Sequence, residues 1–145
     1  MLKLLTASII FIMTLSNAIT QDLENESKIK DFLGSQRFEN SLKNNPGLLS
    51  YLDVKIKEGY AIENVNSNKK ENFIEITSVT YNLEEKGKKI SSEEFLEHSK
   101  RPDFNILFYD FPMPEDGQNG YFHLKGTGKV ISIYSNKHIN NMIAK

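Results

Sequence analysis

No cysteine occurs anywhere in this chain of 145 residues, and that absence limits how it can hold a fold. Disulfides, structural zinc on thiolates and cysteine nucleophiles are all ruled out by the same count. So is a lipid attached to a cysteine at a leader cleavage site. Small exported domains often lean on disulfides when their cores are small. This chain has to rely on side-chain packing alone.

The constraint matters because the N-terminus reads as an export signal. Lys3 supplies a positive start, Leu4 to Leu15 is almost unbroken apolar sequence, and Ser16-Asn17-Ala18 ends it with small residues. That apolar run is too short to cross a bilayer core of ~30 Å, and polar Asn17, Thr20 and Gln21 follow at once. The expectation is a cleaved leader over 1–18, a mature start at Ile19, no stable membrane anchor, and a periplasmic or secreted location. Export from a bacterium fits the lack of cysteine better than a eukaryotic secretory route.

Residues 19–145 then form one domain, long enough to bury roughly two-thirds of its unfolded surface. With Lys3 removed, seventeen basic residues face nineteen acidic ones. No arginine run or basic patch stands out, which argues against nucleic acid as a partner.

The apolar period divides the mature chain. Asp22 to Leu33 predicts a helix through Ile29, Phe32 and Leu33, stopped at Gly34. Ser35 is the expected cap of a second helix carrying Phe38 and Leu42. Asn45-Pro46 predicts a third start, with Leu48, Leu49 and Leu52 giving a turn or two. From Asp53 the period reads as two: Val54 and Ile56, then Glu58-Gly59, then Tyr60 and Ile62. Phe73 to Leu83 is a strand whose apolar phase slips between Ile76 and Val79, which predicts a bulge at Thr77-Ser78.

Ser91-Ser92-Glu93-Glu94 is a capping box, with Ile90 and Phe95 as its hydrophobic staple, so a helix is expected over Ser92 to Ser99. Three strands follow. Asn105 to Phe111 is apolar on both faces and reads as a central, covered strand. Tyr121 to Lys125 and Val130 to Tyr134 are joined by a tight turn at Gly126-Thr127-Gly128. Ser135 caps a last helix with Ile139, Met142 and Ile143 on one stripe. The fold class is α+β: N-terminal helices on a curved, mostly antiparallel sheet of about five to six strands, one mid-chain helix and a C-terminal helix. The element order loosely resembles the cone-shaped folds of the nuclear-transport-factor-2 type, a likeness without a motif that implies no function.

The chemistry in the sequence is sparse. Three histidines occur, His98, His123 and His138, with no spacing that gathers metal ligands; neither metal nor cofactor is expected. His123 is a candidate general base with Asp110 or Asp103 to orient it, though no nucleophile motif accompanies it. The other two read as a helix-end cation beside Lys100 and Arg101 (His98) and a solvated first-turn residue (His138). Pro114 to Gly120 is rich in oxygen ligands but lacks the pattern of a calcium loop, and reads as a glycine-punctuated turn. Gly126-Thr127-Gly128-Lys129 lacks the spacing and following helix of a phosphate loop.

Phe111-Pro112-Met113-Pro114 is the least ordinary segment. Two prolines stiffen it and leave Phe111 and Met113 either folded back as a lid or offered as anchors to a partner. Phe111, Met113, Glu115 and Asp116 are the expected contacts of a non-catalytic exported binding protein of inhibitor, immunity or accessory type. The competing expectation is a small-ligand carrier or small enzyme in the hollow of the sheet, walled by Tyr81, Phe108, Tyr121, His123 and Tyr134. A structural envelope component is a third class on which the sequence is silent.

Overall fold

Among the described residues, three helices come first, each stopped by a residue that breaks it. They are α1 (Glu26–Leu33), α2 (Ser35–Asn44) and α3 (Pro46–Glu58). The structure is a computed structural model describing residues 23–66, 72–83 and 86–145. The leader and Asp22 lie outside the described residues.

Gly34, at φ +78°, donates its N–H to the Lys30 carbonyl and turns the chain. It also occupies the cap position of α2, so Ser35 is the first helical residue rather than the cap. The Asn45 carboxamide oxygen accepts from the Leu48 N–H at 3.3 Å, one position ahead of Pro46, as that pair predicts.

Of the extended segment expected from Asp53, only the part after Gly59 forms a strand, over Tyr60–Asn64. α3 runs on to Glu58, because Leu49, Leu52 and Ile56 share one buried face at helical spacing. The apparent alternation of Val54 with Ile56 was an accident of that spacing. Asp53 also holds α3 to the start of α1, accepting from the Asn25 backbone and side chain at 2.8 and 3.1 Å. Gly59 ends the helix where a Cβ would lie 2.3 Å from the Lys55 carbonyl oxygen.

Among the described residues, seven strands follow in two sheets. β1 (Tyr60–Asn64), β7 (Lys129–Ile133), β6 (Gly120–Leu124) and β2 (Ile74–Ile76) form one, in that spatial order. The β2–β6 pair is parallel and the others antiparallel. β4 (Lys88–Ser91), β3 (Ser78–Tyr81) and β5 (Tyr109–Asp110) form the second sheet, all antiparallel. The fold is α+β, with its strands in two sheets where one was expected.

The phase slip at Thr77 is the point where the chain leaves one sheet for the other. Ile76 and Val79 therefore both reach the same core cluster. Ser92, fully buried, fastens the switch: its hydroxyl donates to the Ile76 carbonyl at 2.9 Å and its N–H to the Thr77 carbonyl at 3.1 Å. Ser92 begins α4 (Ser92–Ser99), whose cap Ser91 accepts from the Glu94 N–H as the capping box predicts.

The expected strand over Asn105–Phe111 is mostly something else. Asn105, almost fully buried, accepts from the Leu107 N–H and donates to the Lys28 carbonyl. That competes with a strand ladder and winds Ile106–Phe108 into one 3₁₀ turn. The run is covered on two sides, because Ile106 joins the sheet cluster and Leu107 the helical one. Only Tyr109–Asp110 pairs as a strand, at a sheet edge rather than the centre.

The β6–β7 hairpin turns at Gly126 and Gly128, both at positive φ, and α5 (Asn136–Ile143) is capped by Ser135, all as the sequence predicts. Among the described residues, no helix is long and apolar enough to cross a membrane.

Candidate functional site

The segment from Asp110 to Gly120 leaves the edge strand β5, passes over the end of the sheet core and returns as β6. Its first half is anchored inward. Phe111 stacks on Phe122 with centroids 5.6 Å apart and meets Phe95 edge-on at 5.4 Å. Met113 packs against the same cluster, and its N–H donates to the Phe111 carbonyl at 2.8 Å across Pro112. Gly120 closes the loop where only a hydrogen fits: a Cβ there would lie 2.5 Å from the Phe122 ring and 2.9 Å from Met113 Sδ. The lid geometry describes Phe111 and Met113, both half-buried.

The second half faces outward. Glu115 and Asp116 are exposed. The Asp116 carboxylate accepts from the Gln118 N–H at 3.0 Å, an Asx turn, and Gly117 follows with φ +70°. Asn119 then accepts from the Ser135 N–H at 2.8 Å, tying the loop to the start of α5. The loop is thus held at both ends while its tip stays in water.

Two recesses flank the tip. One, of about 360 Å³, lies toward α3 and is lined by Lys55, Met113, Asp116, Ile133, Tyr134 and Lys137 among others. The other, of about 300 Å³, lies toward α5 and includes Asp116, Asn119, Tyr121, His138 and Asn141. Lys55 reaches its recess from α3 with its ammonium 5.8 Å from the Tyr51 ring. Burial lowers its pKa below the ordinary lysine value, against the smaller raising effect of Asp110. Lys55 escaped the sequence reading because its segment resembled a strand.

The structure scatters the residues of the competing site. On β6, Phe122 and Leu124 enter the core while Tyr121 and His123 point to the opposite face. The carboxylate nearest His123 is Glu75, at 3.7 Å from Nδ1, on the parallel strand beside it. Asp110 instead accepts from the Asn82 amide, and Asp103 is exposed. The five proposed wall residues disperse: Tyr81 stacks on Tyr109, Phe108 meets Phe32, Tyr121 meets Phe73 and Tyr134 stacks on His138.

His98 departs furthest from its sequence reading. Its side chain is only 12 % exposed, and Nδ1 lies 3.0 Å from the Tyr109 hydroxyl, with Glu94 at 3.9 Å from Nε2. Burial, with Tyr81 nearby, raises the pKa of Tyr109 well above its ordinary value of 10.0, so it stays a neutral hydroxyl. No periodicity or motif joins His98 to Tyr109; only the tertiary fold does.

Among the described residues, no group of three or more His, Cys, Asp or Glu side chains could hold a metal ion. No family model, curated protein or solved structure matches this chain, so the likeness to cone-shaped folds is one of element order alone.

Proposed function

We propose that this is a non-catalytic exported binding protein, of inhibitor, immunity or accessory type, whose contact surface is the Pro112–Gly120 loop with the start of α5. One observation carries the reading: the loop is anchored from within by Phe111 and Met113, yet its tip is exposed. A tip already held in place loses little conformational freedom when a partner docks. Phe111 and Met113 then serve the interface by fixing the loop, and Glu115 and Asp116 make the contact and orient the partner. Export would place this surface outside the cytoplasm, where the leader reading sends it.

The test is site-specific cross-linking in the native host. A photoreactive residue at Glu115 should trap one partner repeatedly, and the same residue at Lys43, on α2, should not. Equal yields of the same adducts from both positions would sink the reading. Mass spectrometry of the recovered protein should find a mature start at Ile19 or within a residue or two of it. Recovery with Met1 and Lys3 intact in the cytoplasm would overturn export.

A further inference from the structure

The recess on the α3 side of the loop pairs a cation with an apolar wall. Lys55 and Lys137 both line it, and among the described residues neither forms an ion pair. Lys55 is the telling one. Its stem lies half-buried, with Met113, Pro114, Ile133 and Tyr134 around the recess and the Tyr51 ring beside its ammonium. An ammonium partly withdrawn from water with no carboxylate in contact carries a desolvation cost that an incoming anion offsets.

Among the described residues no carboxylate comes within ion-pair distance of Lys55, although Asp110 acts on it from farther away. Asp116 lines the recess, but its oxygen accepts from the Gln118 N–H. Asp110 accepts from Asn82 and lies outside ion-pair distance of Lys55. Lys55 is therefore left without a contacting carboxylate in a recess whose other charges, Lys137 and Asp116, are exposed, while Met113, Pro114 and Ile133 give it room for a short apolar stem.

We propose that this recess is a carboxylate-binding site, in which Lys55 and Lys137 hold the anionic group and the Met113–Ile133 wall takes an attached apolar chain. The carboxylate belongs either to a small free acid or to an acidic side chain of a protein partner. In the second case the proposal rests on the reading of the loop as a contact surface, and Lys55 names what that partner must bring.

Amide chemical-shift titration of the purified chain separates these sources. Hexanoate is the free-acid probe, hexanamide its uncharged counterpart, and N-acetyl-Leu-Glu-Leu-amide the side-chain probe. Saturable shifts at Met113, Ile133 and Lys137 are expected with a carboxylate, with a Kd of about 1 mM for so small a ligand. Hexanamide should bind at least ~10-fold more weakly, the loss of one charge-assisted contact. Lys55→Gln should weaken hexanoate by a similar factor and Lys55→Arg should restore it. Tighter binding of the peptide assigns the site to a protein partner, and tighter binding of hexanoate assigns it to a small acid.

Equal shifts from hexanoate and hexanamide would overturn the proposal, as would undiminished binding to Lys55→Gln or no saturable shift from either carboxylate. The comparison of the two hexanoyl probes uses the unmodified chain, so it stands even where Lys55→Gln folds poorly. Failure here leaves the cross-linking result at Glu115 untouched, and failure there leaves this one untouched.

Discussion

The two hydrophobic clusters of this protein are built from different materials. The buried members of the helical cluster are aliphatic but for Phe38: Ile29, Leu33, Leu49, Leu52 and Ile56 meet around Leu107. The sheet cluster is organised by rings: Phe95, Phe104 and Tyr109 are in edge or tilted contact, and Phe111 bridges them to Phe122, edge-on to Phe95 and stacked on Phe122. Leu107 apart, the first gathers segments that follow one another along the chain. The second gathers segments from Ile76 to Ile133. Apolar side chains at local spacing suffice to define a helical layer, whereas the loop that carries the proposed function takes its order from rings distant in sequence.

Breaking each cluster at a fully buried residue separates the two roles. Phe122→Ala removes the ring under Phe111 and should cost ~3–5 kcal/mol, read as a lowered denaturant midpoint, and it should also loosen residues 111–120. Leu49→Ala, fully buried in the helical cluster, should cost ~2–5 kcal/mol and leave loop order unchanged. If both variants loosened the loop equally, the distinction between the clusters would fail.

A subtler break is steric. Gly120→Ala places a methyl against Phe122 and Met113, and overpacking of this kind should cost ~1–3 kcal/mol. The change should appear as shifted resonances for Met113 and Phe111 with the helical layer undisturbed. Unaltered stability would show that the loop is not seated as described.

The ring cluster should also respond to alkali. Burial raises Tyr109 above its ordinary value, and Tyr60, packed against the same cluster, in the same direction. The folded chain then holds protons that the unfolded chain releases. The stabilisation is complete below about pH 10 and falls as pH climbs beyond it. Tyr109→Phe should flatten the fall, measured as the midpoint of chemical unfolding against pH. The smallest of these effects is local: Ser91→Ala removes the α4 cap and should cost about 1 kcal/mol, detectable by thermal melting.

Much of the fold was legible where a residue acts on its immediate neighbours. Asn45, Ser91 and Ser135 each cap the helix assigned to them, and Gly126 and Gly128 turn the hairpin. The helix through Ile56 was misread because Val54 and Ile56 mimic alternation over too few residues to distinguish the two periods. The 3₁₀ turn at Ile106–Phe108 depends on Asn105 bonding to Lys28, a partner that no local pattern reveals. The slip at Thr77 was visible as a change of phase, but a bulge and a change of sheet leave the same mark.

The loop shows the same division. Its prolines marked it as unusual, and its inward anchoring needed Phe95 and Phe122 in place. Glu115 and Asp116 remain exposed. Lys55 reaches the recess because α3 is a helix there, so that contribution was hidden by the misread period.

The most direct measurement is backbone ¹⁵N relaxation of the free chain. The loop is fixed before any partner arrives, by Phe111 and Met113 beneath and by Asn119 at its end. Order parameters for Phe111, Met113 and Glu115–Gly120 should therefore approach the ~0.85 of rigid backbone, matching the flanking strands β5 and β6. Values below ~0.6 across Glu115–Gln118, beside rigid strands, would mean that the tip is mobile in the free protein. That result would contradict the preorganised surface.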